Sequence, residues 1–152
     1  MAMSSGGIDS GGSGSQSTGP AAALATIEKH RRDNVPERLI HAGERIQAGW
    51  RAAADSAGLK IRTFGIPPLA SFTFEHESPD ALLTLFTQEM LARGFLAGAQ
   101  VYTMVAHSDR LIDIYLENTE QVFRTLAAAN QANNIEDLLN GPVKHSGFSR
   151  LA

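Results

Sequence analysis

Residues 59–75 read Leu-Lys-Ile-Arg-Thr-Phe-Gly-Ile-Pro-Pro-Leu-Ala-Ser-Phe-Thr-Phe-Glu, and this stretch decides the fold. Apolar and polar side chains alternate before and after residues 65–68, as they do in strands that bury one face. Gly65, Pro67 and Pro68 are residue types typical of turns. The stretch therefore predicts two strands joined by a turn, with Phe72 and Phe74 on the buried face.

A long helix is predicted immediately before these strands. Its apolar positions recur at steps of four and three, and they are Leu39, Gly43, Ile46, Trp50, Ala53 and Ala57. This spacing places them on one stripe of a helix. We expect the helix to end at Gly58 in the left-handed conformation, and Trp50 to be buried between this helix and the sheet.

An earlier helix is predicted to begin at Pro20, since proline at a first helical position loses no hydrogen bond. Pro36 disfavours helical backbone in the residue before it, so a boundary is expected near Asn34. Residues Met1–Thr18 are rich in glycine and serine and carry few apolar side chains. Such a composition is typical of a flexible leader or linker. We therefore expect a folded domain over residues 19–152.

After the two strands, Ser78, Pro79 and Asp80 predict the start of a third helix, capped by Ser78 and ended by Gly94. Its predicted buried face is Leu82, Leu83, Phe86, Met90 and Leu91. Two short strands are predicted next, at residues 95–97 and 101–105.

A fourth helix is predicted after the cap formed by Ser108 and Asp109. Its predicted inward side chains are Leu111, Ile112, Tyr115, Thr119, Val122 and Leu126. A short helix is expected at Ile135–Leu139. The order α-α-β-β-α-β-β-α-α predicts an α+β or α/β layered domain, in which helices pack on a single sheet.

The composition excludes several classes of function. The chain carries 13 basic and 16 acidic residues with no basic stripe, so nucleic acid is not an expected partner. The absence of cysteine excludes disulfides, thiolate zinc ligands and a cysteine nucleophile. No apolar run approaches the roughly 18 residues that a membrane span requires. We therefore expect a cytoplasmic protein without a membrane segment.

The histidines do not form a recognisable metal motif. They are His30, His41, His76, His107 and His145, and no two have the spacing of helical zinc ligands. His107 is predicted to lie before the fourth helix, with its ring hydrogen-bonded to backbone. No Gly-x-Ser-x-Gly motif is present. The residues themselves thus predict neither a metal site nor a catalytic group.

A family resemblance rests on the order of five short motifs. They are Gly19-Pro20-Ala21-Ala22-Ala23-Leu24-Ala25-Thr26, Gly43-Glu44-Arg45-Ile46, Arg93-Gly94, Ala106-His107-Ser108 and Gly141-Pro142-Val143-Lys144-His145-Ser146-Gly147-Phe148. In this order they resemble the C-terminal domain of class III, fold-type I aminotransferases. The closest group is similar to glutamate-1-semialdehyde aminomutase, and the resemblance runs from about Gly19 to Ala152. It implies a small, mainly antiparallel sheet with helices on one face.

The resemblance also implies partners and a cofactor. The intact enzyme would be a homodimer that uses pyridoxal phosphate (PLP) to transfer an amino group between an amino compound and an oxo compound. A large N-terminal domain, missing here, would supply the lysine that binds PLP. Lys29, Lys60 and Lys144 lack the family's lysine context, and the stretch Gly11–Thr18 lacks its Ser-Thr-Phe phosphate turn. We therefore expect no cofactor and no catalysis by this chain alone.

Gln100 is the candidate substrate-binding residue. It follows the third helix, where the family's small domain approaches the substrate entrance, and its amide could hydrogen-bond a carboxylate. The alternative is a purely structural loop role for Gln100. In the tail, Lys144, His145 and Ser146 are expected to be structural, with Phe148 as an anchor. For the chain as a whole, the alternative is a non-catalytic α+β binding or scaffold module.

Overall fold

The computed structural model describes residues 18–145. Of the predicted Gly/Ser leader Met1–Thr18, only Thr18 is described, as the first residue of a helix. Residues 1–17 of the leader, and Ser146 and Phe148 of the tail, lie outside the described residues. The chain divides into two compact units, Met1–Val35 and Pro36–Ala152.

The first unit contains the helix α1, Thr18–Arg32. All of its side chains from Gly19 to Arg32 are exposed. The Lys29 ammonium lies 2.5 Å from the Asp33 carboxylate, and this hydrogen bond lowers the pKa of Asp33. Asn34 has a φ of 50°, so the helix ends where the sequence predicted a boundary.

The remaining helices and strands have short connections. They are α2 (Val35–Ala57), β1 (Ile61–Phe64), β2 (Leu69–Phe74), α3 (Pro79–Ala92), β3 (Gln100–Tyr102), α4 (Asp109–Gln131) and a 3-10 turn (Glu136–Leu138). The strands form one antiparallel sheet in the order β1-β2-β3. The predicted α+β layered fold with a small antiparallel sheet is therefore confirmed.

The two faces of the sheet have different environments. Ala70, Phe72 and Phe74 of the central strand are almost fully buried. Phe64 and Tyr102 belong to the opposite face, and they are 49% and 66% exposed. This alternation follows from the period of two in a strand, and it places α2, α3 and α4 on one face only.

The core is organised around the ring of Phe72. The centroid of this ring lies 4.8 Å from Trp50, 5.5 Å from Phe74, 5.4 Å from Phe86 and 5.8 Å from Phe123. Tilted and edge-to-face pairs at these distances add stabilisation to that of the buried area. Trp50 is 0% exposed, so its predicted burial between α2 and the sheet is confirmed. The sequence did not predict the buried Phe123.

Glycine positions the hairpin turn against α2. A Cβ atom on Gly43 would lie 1.7 Å from the carbonyl oxygen of Pro67, which no side chain could accommodate. Gly43 is therefore required by the close approach of two backbones. Gly58 has a φ of 72°, and this confirms its predicted role at the end of α2.

The predicted strand at Phe95–Ala97 is wrong. The Phe95 amide donates a hydrogen bond of 2.9 Å to the Met90 carbonyl, and Gly94 has a φ of 85°. These features close the end of α3, so the Phe95 amide has no place in a sheet. The strand predicted at residues 101–105 is also too long, because β3 spans Gln100–Tyr102 and a turn follows at Met104.

Several local predictions for the helices are wrong. Leu91 and Leu111 are 58% and 50% exposed, because each lies beside the buried stripe of its helix. The Ser78 side chain makes no capping bond to α3, although the residue does occupy the N-cap position. The helix predicted at Ile135–Leu139 is a single 3-10 turn, since Leu139 is already extended.

Truncation of Trp50 tests the aromatic core. Trp50→Ala removes the closest ring contact of Phe72 and leaves a cavity, so we expect a loss of roughly 3–5 kcal/mol in the free energy of unfolding. The measurement is urea unfolding followed by circular dichroism. Leu91→Ala is the control and should change stability by less than about 0.5 kcal/mol, as exposed positions do. Equal effects of the two variants would contradict this account of the core.

Candidate functional site

An open cavity lies at the β3 edge of the sheet, against α2 and α4. Its volume is about 420 Å³. The lining residues are Ile46, Phe95, Leu96, Ala97, Gln100, Val101, Tyr102, Met104, His107, Leu111, Ile112 and Tyr115. Most of these side chains are apolar, so this cavity favours the apolar part of a ligand or partner. It is called the larger cavity below.

Gln100 begins β3 and lines the larger cavity. It pairs in register with Ser71 of β2, and it is exposed. The sequence placed Gln100 in a loop or near a substrate entrance, and the structure places it at the start of the edge strand β3, where it lines the larger cavity together with Tyr102. The amide nitrogen of Gln100 can donate, and its amide oxygen can accept, a hydrogen bond with a polar group in the larger cavity.

The inner wall of the larger cavity is fixed to the core by a hydrogen bond. The Trp50 indole N–H donates to the Tyr115 hydroxyl over 2.9 Å. The Tyr115 ring also packs edge-on against Phe95, with 5.9 Å between the centroids. Burial raises the pKa of Tyr115 to about 12, since the ionised phenolate would be poorly solvated there. Tyr115 is therefore a neutral, fixed wall residue at physiological pH.

A smaller cavity of about 130 Å³ adjoins the first. Its lining residues are Arg38, His41, Ala42, Met104, Val105, His107, Ser108 and Asp109. Met104 and His107 line both cavities. The Met104 amide donates to Nδ1 of His107 over 3.4 Å, which confirms the predicted backbone contact of this ring.

The start of α4, which lines the smaller cavity, is fixed by a helix cap and by ion pairs to α2. The Ser108 hydroxyl accepts a hydrogen bond from the Leu111 amide, as its predicted capping role requires. The Arg45 guanidinium donates to Asp109 and to Asp113, at 2.5 Å each. Arg45 thus joins α2 to α4, and its one positive charge is shared between the Asp109 and Asp113 carboxylates.

Comparison with known proteins finds relatives that the chain matches over part of their length. No protein-family model matches the chain. Over 123 residues it is 30% identical to the glutamate-1-semialdehyde 2,1-aminomutase of Neisseria meningitidis serogroup C, covering 71% of this chain and 29% of the aminomutase. The serogroup A enzyme is 29% identical over 122 residues with the same coverage. This chain is homologous to part of these aminomutases. The predicted resemblance to this group is confirmed, and the chain spans 29% of the length of these curated relatives.

A solved structure has the same fold. It is the FumI protein of Sphingopyxis sp. MTA144 in its PLP internal aldimine form, with a TM-score of 0.64 and 23% identity. The similarity covers 74% of this chain and 28% of the FumI chain. At this identity the comparison supports the fold alone.

The described residues do not fit a PLP site of their own. Lys29 and Lys144 are ion-paired with Asp33 and Asp80, at 2.5 and 3.0 Å. Lys60 is exposed, and within residues 18–145 no lysine lines the larger cavity or the two others of about 130 and 360 Å³. No group of three His, Asp or Glu side chains that could hold a metal ion occurs in this part of the chain. None of its helices could cross a membrane.

Sequence reasoning missed the smaller cavity. Arg38 and His41 are three residues apart on α2, a spacing that places them on one face of a helix. Ala106-His107-Ser108 had already been noted as a motif. Nothing in the sequence showed that β3 would bring this motif next to Arg38, because the contact joins residues far apart in the chain.

The raised pKa of Tyr115 predicts a loss of stability at high pH. In an unfolded chain a tyrosine loses its proton near the ordinary pKa of 10.0, whereas the folded chain retains it to about 12. The contribution is complete below pH 10 and is lost as pH rises towards 12, by roughly 2 kcal/mol. Urea unfolding across this range measures the loss, which Tyr115→Phe should abolish. The control Tyr102→Phe should retain it, and an unchanged loss in Tyr115→Phe would contradict the assignment.

Proposed function

We propose that this chain is the C-terminal domain of a class III, PLP-dependent aminotransferase or aminomutase. In the intact enzyme it would transfer an amino group between an amino compound and an oxo compound. The homology to glutamate-1-semialdehyde aminomutases supports this reaction class. The observation that carries the proposal is the open apolar cavity at the β3 edge of the sheet.

The rim of the larger cavity supports a partner surface. Leu96 is 96% exposed, and Tyr102, Met104 and Leu111 are between 50% and 66% exposed. Exposed apolar side chains clustered around a cavity mark interaction sites. We propose that the PLP-binding portion of the intact enzyme covers this rim and that the larger cavity becomes one wall of the substrate site.

Each part of the chain has a limited role in this proposal. The PLP-binding portion supplies the lysine and the cofactor chemistry, so the chain alone is inactive. Gln100 hydrogen-bonds a polar group of the substrate. Tyr115, held by Trp50, keeps the cavity wall in place, and the apolar rim excludes water when the site is covered. The intact enzyme would be a cytoplasmic homodimer.

The test is a chimeric enzyme in which residues 19–145 replace the matched segment of the serogroup C aminomutase. We expect the chimera to bind PLP and to transfer amino groups. Gln100→Ala should lower its turnover about tenfold, as expected for one lost hydrogen bond to substrate. The measurement is steady-state amino transfer together with the content of bound PLP.

Two controls accompany the chimera. Gln121→Ala changes an exposed glutamine of α4 outside the cavities, and it should retain full turnover. The isolated chain, titrated with PLP and treated with borohydride, should give no stoichiometric adduct at Lys29, Lys60 or Lys144. A PLP-bound chimera without amino transfer would contradict the proposed function, as would a stoichiometric adduct on the isolated chain.

A further inference from the structure

We propose that the two adjoining cavities form one binding site for a monocarboxylate with an apolar chain. The larger cavity takes the chain, and the smaller cavity takes the carboxylate. The identification of this ligand class as the substrate, an amino or oxo acid with an apolar side chain, rests on the proposed function. The binding itself does not depend on it.

The two cavities are continuous in their walls, because Met104 and His107 contribute to both. The larger one, at about 420 Å³, falls within the range of roughly 300–1,000 Å³ that small-molecule sites occupy. A ligand that lies along the Met104–His107 wall would thus contact an apolar surface at one end and a basic surface at the other.

The smaller cavity offers one guanidinium group that is free to bind an anion. Arg38 lines it, and no carboxylate within residues 18–145 lies at ion-pair distance from this guanidinium. His41 and His107 add two imidazole rings to the same lining. Asp109 is the one acidic residue there, and its carboxylate accepts a hydrogen bond of 2.5 Å from Arg45, a guanidinium that Asp113 shares. A guanidinium without a partner binds carboxylates well because its N–H groups match their geometry.

The larger cavity excludes a second charge. No Arg, Lys, Asp or Glu side chain lines it, and Gln100 is neutral. A dicarboxylate would leave one charge unpaired against apolar walls, which is unfavourable. An apolar amine would place its cation beside Arg38, where it meets repulsion. The lining therefore favours one negative group joined to an apolar chain, with Arg38 rather than Gln100 binding the carboxylate.

The experiment compares three probes on the complete chain: octanoate, octylamine and acetate. Trp50 is the single tryptophan, and its indole is hydrogen-bonded to the cavity-wall residue Tyr115. A ligand in the larger cavity should therefore change its emission. We expect octanoate to bind more than about tenfold more tightly than octylamine. Acetate should bind at least about 100-fold more weakly, because it lacks the methylene groups that are buried.

Matched variants locate the two ends of the ligand. Arg38→Gln should weaken octanoate binding about fivefold, as expected for a partly exposed ion pair. Arg110→Gln removes the same charge from an exposed α4 residue outside both cavities. This variant should change the affinity for octanoate less than about twofold. Leu111→Arg should abolish the emission change. Leu91→Arg, on the exposed side of α3, should preserve it.

Each outcome decides the proposal. The proposal is supported if octanoate binds more tightly than octylamine, if Arg38→Gln weakens this binding, and if Leu111→Arg abolishes the emission change. The control variants Arg110→Gln and Leu91→Arg must show neither effect. Any one of three results would overturn the proposal. Octanoate and octylamine bind equally well, Arg38→Gln and Arg110→Gln have equal effects, or octanoate does not bind at all. Thermal unfolding of each variant verifies that it is folded. The binding measurements need neither PLP nor enzyme turnover. A negative binding result is therefore distinguishable from an inactive chimeric enzyme.

Discussion

The packing of Phe72 against four other aromatic rings is the constraint on which the other features depend. Its ring contacts Trp50 of α2, Phe86 of α3 and Phe123 of α4, as well as Phe74 of its own strand. One side chain of the central strand therefore fixes the distances of three helices from the sheet. Close-packed interiors accept few other arrangements, so the positions of these helices are tightly coupled.

The cavity wall follows from this packing. Trp50 is held by Phe72 on one side, and on the other it donates its hydrogen bond to Tyr115. Tyr115 in turn contacts Phe95, just after the end of α3. The core thus positions the inner wall, while Leu96 on the rim is exposed.

The sequence predicted the features that depend on local periodicity. The stripe through Trp50, the alternation around Phe72 and the glycine at position 58 all appear in the structure where they were expected. Phe123 was missed although it follows the predicted inward residue Val122, because both lie on a broader buried face than the stripe described. The strand predicted at residues 95–97 failed because the closure of α3 takes the Phe95 amide. The cavities could not be predicted, since they depend on contacts between α2, β3 and α4.

The central claim is that the aromatic core holds the cavity wall through Trp50 and Tyr115. Hydrogen exchange of the Trp50 indole N–H, measured by NMR on the complete chain and on Tyr115→Phe, tests this claim most directly. The account predicts strong protection in the natural chain, because the group is buried and bonded, and much faster exchange in the variant. Rapid exchange in the natural chain, or unchanged protection in Tyr115→Phe, would contradict it.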